Sequence, residues 1–144
     1  MGDVAVRSFN RIVYVAMAEP GVVGKVGRYG KVGKVIRPGG SSRTIGGLAW
    51  DQVNDLMLVL YADDVPAVVI YDDDIKEVGR VTFEVATRPS TLVYDSNRQR
   101  YYVPLAEAGW LGEFDAQGRL LDRLPFPDPA ASIDAGQRSA VRMF

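Results

Sequence analysis

Residues 48–64, LAWDQVNDLMLVLYADD, decide the fold because the chain repeats them. Residues 92–108, LVYDSNRQRYYVPLAEA, and more faintly residues 4–20, VAVRSFNRIVYVAMAEP, keep the same order of strand, turn, strand and acidic turn. The copies are separated by two steps of 44 residues, from 4 to 48 and from 48 to 92. A fixed period in this range indicates a repeat architecture, in which neighbouring repeats bury one another's apolar faces.

Composition limits the class of protein and its chemistry. The chain has 144 residues, of which 47% are hydrophobic and 24% charged, as expected of one globular domain. It contains no cysteine and no histidine, which excludes disulfides, thiol nucleophiles, histidine bases and Ser-His-Asp triads. The net charge of -1 gives no reason to expect nucleic acid or an anionic membrane as a partner. Because we see no signal peptide and no membrane-spanning apolar run, we expect a soluble protein of unassigned compartment.

Each repeat contains four short apolar runs separated by turn residues. Such spacing predicts antiparallel strands, and recurrence of a four-strand unit favours a β-propeller over a sandwich. No segment has helical periodicity over about ten residues, so we expect almost no helix. The strands are predicted at residues 4–6, 12–17, 22–26 and 31–36, then at 47–50, 56–61, 67–71 and 77–83, and finally at 91–94, 101–105, 110–114 and 119–124.

We therefore predict an all-β fold with three propeller blades in a single domain, residues 1–144. The blades are expected at about residues 1–44, 45–88 and 89–131. Residues 132–144 hold one more apolar-polar pattern, which predicts an extra strand or a tail that closes the ring.

The third repeat carries a recognisable blade pattern. Its elements are Pro89, Leu92, Asp95, Tyr102-Val103, Glu107, Phe114-Asp115 and Gly118. The second repeat matches at Leu48, Asp51, Val59, Asp63 and Tyr71-Asp72, with Asp74-Ile75 around the place of the hairpin glycine. The first has Arg7 where the others have aspartate. This pattern resembles the blades of NHL and gluconolactonase-like six-bladed propellers, a resemblance that implies a fold but no single activity, since such propellers host lactonases, esterases and binding proteins.

Three blades do not close a ring, because propellers typically have 4 to 8 blades. Two copies of the chain supply six, the number that the resemblance implies. We therefore predict a homodimer in which the third blade of each chain packs on the first blade of the other. The alternative is that the chain is a fragment of a longer propeller.

Charge is segregated along the sequence. Six basic residues and no acid lie between Pro20 and Trp50, whereas residues 51–77 hold eight acids and one lysine. Opposed patches favour oriented encounter, and the candidate binding or interface residues are Lys25, Arg28, Lys31 and Lys34. The alternative is that both runs are solvated surface. Few aromatic residues interleave with the basic ones, so nucleic acid is not an expected partner.

Three acids recur at one repeat position, Glu19, Asp63 and Glu107. Carboxylates that converge on a channel could hold Ca²⁺ or Mg²⁺, and a metal could polarise a lactone or ester carbonyl. The alternative is that each acid accepts backbone N–H bonds in its own turn. Asp51 and Asp95 are predicted to form Asx turns after the first strand of their blades.

Two classes of function follow. The first is a non-catalytic binding module, with no catalytic residue and no required cofactor, that completes its ring by homodimerisation and binds an unidentified protein, peptide or small molecule. The alternative is a Ca²⁺- or Mg²⁺-dependent lactonase- or esterase-like hydrolase. The aromatic residues Trp50, Tyr94, Tyr102 and Phe114 are predicted to pack between blades.

Overall fold

The computed structural model describes residues 2–27, 30, 32–39 and 43–127. This part of the chain forms twelve β-strands and no helix, which confirms the all-β prediction. The segment 132–144, predicted as an extra strand or closing tail, lies outside the described residues. The described part has no helix of the length and apolarity that a membrane crossing needs.

Every predicted strand forms, and the ends differ by no more than about two residues, the usual uncertainty of strand boundaries. Blade 1 consists of β1 Val4–Arg7, β2 Ile12–Ala16, β3 Val23–Val26 and β4 Val32–Ile36. Blade 2 consists of β5 Ile45–Asp51, β6 Leu56–Tyr61, β7 Ala67–Tyr71 and β8 Glu77–Thr82. Blade 3 consists of β9 Val93–Asp95, β10 Arg100–Pro104, β11 Trp110–Phe114 and β12 Leu120–Pro125.

Each blade is an antiparallel sheet whose strands follow one another in chain order. The first strands lie side by side, because β5 contacts both β1 and β9, so they form the inner edge of the array. Since neighbouring strands run in opposite directions, the turns alternate between two ends. We call the end with turns 8–11, 52–55 and 96–99 the upper end, and the end with loops 17–22, 62–66 and 105–109 the lower end.

The sequence period is also a structural period. The pairs Ala5↔Tyr14, Ala49↔Leu58 and Val93↔Tyr102 occupy one register position in the three blades. The third and fourth strands of each blade are interrupted by a bulge next to Val26, Tyr71 and Phe114, respectively. The last residue of each upper turn is left-handed, with φ of 58° at Arg11, 56° at Asp55 and 57° at Gln99. The repeats therefore share backbone geometry as well as residue types.

The outer hairpin turn differs in blade 2. Gly30 and Gly118 take positive φ, 76° and 86°, in blades 1 and 3, whereas Ile75 takes φ of 61° at the matching turn. Asp72 stabilises that turn by accepting the Asp74 and Lys76 backbone N–H groups through Oδ1. Ile75 is β-branched and costs strain in this conformation, which partial burial against the core offsets.

Two apolar layers hold the blades together. The layer between blades 1 and 2 contains Ala5, Tyr14, Val23, Leu48, Trp50, Met57, Val59, Tyr61, Val69 and Tyr71. The layer between blades 2 and 3 contains Ala49, Leu58, Leu60, Val68, Val81, Leu92, Tyr101, Val103, Leu105 and Phe114. Successive side chains of a strand point to opposite faces, so β6 supplies Met57 and Val59 to one layer and Leu58 and Leu60 to the other. Blade 2 is thus covered on both sides.

Candidate functional site

A hydrogen-bonded ladder crosses the three blades at the upper end. It uses one repeat position, occupied by Ser8, Gln52 and Ser96. The Ser8 backbone N–H donates to Gln52 Oε1 at 2.9 Å, and Gln52 Nε2 donates to the Val6 carbonyl at 2.6 Å. The Gln52 N–H in turn donates to Ser96 Oγ at 2.9 Å. Each blade is therefore tied to the next by the first residue of its upper turn.

Arg7 links blade 1 to blade 2 beside this ladder. It is 8% exposed, its Nε donates to Asp55 Oδ1 at 2.8 Å, and its Nη2 pairs with Asp55 Oδ2. Nη1 lies 3.0 Å from Asp73 Oδ1, and the guanidinium sits over the Trp50 ring at 5.4 Å. The hydrogen bonds from Arg7 and then from Trp50 lower the pKa of Asp55, whereas burial opposes the shift. Arg7 thus joins two turns of the neighbouring blade.

The predicted Asx turns form. Asp51 Oδ1 accepts the Val53 and Asn54 N–H groups, and Asp95 Oδ1 accepts those of Asn97 and Arg98. Arg7 occupies the same repeat position but cannot accept such bonds, because a guanidinium has no acceptor. In blade 1 the Arg11 N–H donates to the Arg7 carbonyl, and Asn10 Oδ1 accepts the Ile12 N–H. Replacement of the turn aspartate frees the side chain at position 7 to reach the next blade.

Asp3 fastens all three inner strands at the lower end. Its Oδ2 accepts the Leu48 N–H at 3.1 Å, the Leu92 N–H at 3.0 Å and the Thr91 hydroxyl at 3.2 Å. Its backbone also belongs to blade 1, because the Ala16 N–H donates to the Asp3 carbonyl. Asp3 is not among the site residues that the sequence pattern predicts. The available signal was a carboxylate directly before β1 at the position where the other repeats have Gly47 and Thr91.

The predicted metal ligands lie on equivalent loops of the lower end, and each is paired with an arginine. Glu19 is 3.2 Å from Arg37, Asp63 is 2.6 Å from Arg43, and Glu107 is 2.7 Å from Arg123. In the described part of the chain, no three His, Cys, Asp or Glu side chains are grouped as a metal site would need. The metal site stays a prediction, and the geometry shows these acids as members of three separate ion pairs.

The predicted basic residues are only partly described. Lys25 and Lys34 are opposite each other on β3 and β4, and Lys25 Nζ lies 5.7 Å from the Tyr14 ring centre. Because Tyr14 belongs to the layer between blades 1 and 2, both lysines lie on the side of blade 1 that faces blade 2. Arg28 and Lys31 lie outside the described residues. An interface role for these four residues stays a prediction.

Two buried phenols meet in the first apolar layer. The Tyr61 and Tyr71 hydroxyls are 2.9 Å apart, and the Arg43 guanidinium lies 3.8 Å from the Tyr61 ring centre. Burial, and then the hydrogen bond to Tyr71, raise the pKa of Tyr61, so its phenol stays protonated at neutral pH. This pair satisfies its own polar atoms inside the core and offers no basic oxygen to a substrate.

Blade 1 leaves most of one of its faces uncovered, although Val15 on that face is only 7% exposed. Strand alternation places Val4, Val6, Val13, Val15, Val26, Val32 and Val35 on the face turned away from blade 2, which we call the open face. None of the described strands packs on it. Four of its valines, Val4, Val6, Val32 and Val35, are between 48% and 55% exposed. A cluster of this kind on a sheet face marks an interaction surface more often than isolated exposed valines do.

The open face uses positions that the other blades bury. Val4, Val6, Val13 and Val15 correspond to Leu48, Trp50, Met57 and Val59 of blade 2. Those four residues are 8% exposed or less and pack against blade 1. Blade 3 buries Leu92, Tyr101 and Val103 at the same positions against blade 2. The open face therefore has the location of a blade-receiving surface.

Blade 3 has a complementary face on which none of the described strands packs, and we call it the outward face. It carries Val93, Tyr102, Pro104, Leu111 and Glu113, at the positions of Ala49, Leu58, Leu60, Val68 and Ile70 in blade 2. Val93 is 56% exposed, Tyr102, Leu111 and Glu113 are partly buried, and Pro104 is fully buried. The Tyr102 hydroxyl donates to Glu113 Oε2 at 3.4 Å, and Arg100 Nε lies 3.7 Å from the same oxygen. Of the predicted packing aromatics, Trp50, Tyr94 and Phe114 contact the layers between described blades. Tyr102 lies on the outward face, so its packing role stays a prediction.

Comparison with known proteins supports the fold and leaves the family unassigned. No protein-family profile and no curated protein matches the chain. A protein of unknown function from Bacteroides caccae is similar over 88% of this chain and 46% of its own, with a TM-score of 0.60 and 14% identity. Kuenenia stuttgartiensis hydrazine synthase is similar over 88% of this chain and 36% of its own, with a TM-score of 0.58 and 13% identity. The chain thus spans less than half the length of these structures, and the likeness shows a propeller-like β fold.

Proposed function

We propose that the chain is a non-catalytic β-propeller module whose first task is to bind another set of blades through its open face. The observation that carries the proposal is the equivalence of positions between the open face and two buried faces. The valines at positions 4, 6, 13 and 15 match residues that blade 2 buries against blade 1. Because the equivalent faces of blades 2 and 3 each pack against the preceding blade, we infer that the open face binds a blade as well.

The occupant we propose is blade 3 of a second copy. Blade 1 packs on blade 2, and blade 2 packs on blade 3, through residues at the same repeat positions as those of the outward face. Tyr102, for example, corresponds to Tyr14 of blade 1 and Leu58 of blade 2. Head-to-tail contact at both junctions gives six blades and a closed ring, within the usual range of 4 to 8. A ring has no uncovered blade face, which removes the exposed valine surface from water.

Apolar burial supplies the driving force for this association. Burying a valine side chain fully contributes about 1.5 kcal/mol or more. The four half-exposed valines of the open face therefore represent a few kcal/mol per junction before the entropy cost of association is subtracted. Two identical junctions form together in a two-copy ring, so each strengthens the other. The completed ring is the surface on which we expect a protein, peptide or small molecule to bind.

The test is a charge placed on the open face. Val6→Glu puts a carboxylate at a position that is 49% exposed in the chain and would be buried in the ring. Burying an unpaired charge costs several kcal/mol, so the dimer dissociation constant should rise by more than about 100-fold. Sedimentation velocity over a concentration series measures it, and circular dichroism checks that the monomer stays folded.

Val65→Glu is the matched control, because Val65 is 70% exposed in a lower loop and lies on neither uncovered face. It should leave the dissociation constant unchanged. A wild-type chain that sediments as a monomer at all concentrations would refute closure by a second copy and would favour further blades of a longer chain as the occupant. Equal behaviour of the two variants would refute the open face as the binding surface.

A further inference from the structure

The junction between blades 1 and 2 defines which upper-end positions meet across neighbouring blades. The last residue of the first strand, position 7, pairs with the last residue of the next blade's upper turn, position 55. The repeat places Asp51 and Asp95 at the first of these positions, and Arg11 and Gln99 at the second. Between blades 2 and 3 these positions hold Asp51 and Gln99, and Asp51 bonds with groups of its own turn, so among the described residues Arg7–Asp55 is the pair that joins the two positions. A base and an acid at these positions can therefore pair across a junction of this geometry.

At the proposed junction between two copies, blade 3 is followed by blade 1 of the second copy. Asp95 then lies opposite Arg11 of the second copy. In the Arg7–Asp55 pair the earlier blade carries the base and the later blade carries the acid. At the proposed junction the earlier blade carries the acid, Asp95, and the later blade carries the base, Arg11. Both turn N–H groups that Asp95 accepts go to its Oδ1, and Arg11 is exposed at the end of its turn.

The hydrogen-bonded ladder extends across the same junction. Within the chain, the Gln52 N–H donates to Ser96 Oγ, which itself donates to the Trp50 carbonyl at 3.5 Å. The residue one repeat after Ser96, in the following blade, is Ser8 of the second copy. The Ser96 N–H can thus donate to the hydroxyl of that Ser8, because Ser8 has the same side chain as Ser96, which accepts the Gln52 N–H within the chain.

We propose that Asp95 and Arg11 of the second copy form an ion pair that closes the ring at its upper end and fixes the head-to-tail order of the copies. This inference rests on the proposed function. Complementary charge at a junction favours the correct partner and disfavours pairings that bring like charges together. The pair occurs twice in a two-copy ring, once at each junction.

A charge exchange tests the pair with substitutions that the repeat already accommodates. Asp95→Arg copies Arg7, and Arg11→Asp copies Asp55, which has the same left-handed φ as Arg11. Each variant alone brings like charges together at both junctions, so its homodimer dissociation constant should rise by more than about tenfold. Mixing the two variants in equal amounts restores one opposite-charge pair at each junction. The mixed dimer should therefore return to within about threefold of wild type.

The readout is sedimentation velocity with one variant fluorescently labelled, which separates mixed dimers from homodimers. Asp64→Arg, in an exposed lower loop, is the control for a change of net charge alone and should behave as wild type. Single variants that dimerise like wild type, or a mixture that shows no recovery, would overturn the ion pair. If the wild type dimerises and Val6→Glu disrupts it while the exchange has no effect, only the pair fails. A monomeric wild type would overturn the proposed function and the pair together.

Discussion

Equivalent repeat positions lie on an exposed face in blade 1 and on a buried face in blade 2. Blade 2 presents Leu48, Trp50 and Met57 to blade 1, whereas blade 1 presents the smaller Val4, Val6 and Val13 at those positions on its open face. Trp50 also stacks on Tyr14 at 4.7 Å and donates its Nε1–H to Asp55 at 2.9 Å. The buried face is therefore large, aromatic and anchored by polar bonds, and the open face is small and β-branched. Under the proposed function the open face stays exposed until a blade docks on it, and its β-branched valines give that apolar surface stiff side chains.

The largest contrast between the two faces is expected from truncations at one repeat position. Met57 is 1% exposed, and Met57→Ala should lower the free energy of unfolding by about 2–5 kcal/mol, because it leaves a cavity between blades 1 and 2. Val13→Ala, at the matching position of the open face, should cost less in the monomer because water already reaches it. Urea unfolding at a concentration where the chain is monomeric measures both. Equal losses would contradict the distinction between the faces.

The next largest effect is expected at Asp3. Asp3→Ala removes the acceptor for two backbone N–H groups and a hydroxyl and should destabilise the fold by about 1–3 kcal/mol. Asp3→Asn keeps a carbonyl oxygen and should cost less than half as much. Thermal unfolding of the three proteins provides the ranking. A loss confined to blade 1 amides in hydrogen exchange would contradict the view that Asp3 fastens all three blades.

The Arg7–Asp55 bridge should make the junction between blades 1 and 2 sensitive to acid. The pKa of Asp55 is lowered in the fold, so its charged form stabilises the native state above the ordinary aspartate pKa of about 3.9. That stability is lost as the pH falls below about 4 towards the folded pKa. Asp55→Asn should be less stable than wild type at pH 7 by about 1 kcal/mol, a figure reduced by solvent screening.

The measurement is the difference in unfolding free energy between wild type and Asp55→Asn at a series of pH values. The two proteins should converge as the pH is lowered through the acid range. A difference that persists unchanged at pH 2 would mean that Asp55 acts through packing or its left-handed backbone, not through its charge. Exchange of Asp55 for asparagine suits this test because asparagine tolerates positive φ.

The smallest effect is expected at the lower-end acids. Glu107 and Arg123 are both largely exposed, and exposed ion pairs contribute about 0–1 kcal/mol, so Glu107→Gln should change stability by less than about 0.5 kcal/mol. Calcium titration followed by thermal unfolding tests the metal hypothesis at the same residues. A calcium-dependent rise in melting temperature that disappears in Glu107→Gln would contradict the ion-pair interpretation and support the hydrolase alternative.

The repeat in the sequence predicts the strands and turns of the backbone, but it does not predict most of the side-chain contacts between blades. The period identified the strands, and Asp51 and Asp95 were correctly predicted as turn residues because an Asx turn depends on a few neighbouring residues only. Arg7 was noted as a departure, but its partners Asp55 and Asp73 lie on two different turns of another blade, which spacing alone does not reveal. Asp3 was missed for the same reason, since its acceptor role depends on how the inner strands converge. The faces became distinguishable only when register and burial assigned each valine to a side.

The accessibility of the open face in solution is the most direct measure of whether a blade of a second copy binds there. The chain has no cysteine, so Val6→Cys and Val65→Cys each introduce a single thiol whose reaction with a small reagent reports exposure. We predict that the thiol at position 6 reacts readily in dilute protein and becomes protected as the concentration rises, whereas the thiol at position 65 reacts at one rate throughout. Position 6 reacting as fast as position 65 at every concentration would contradict the claim that the open face receives a blade of a second copy.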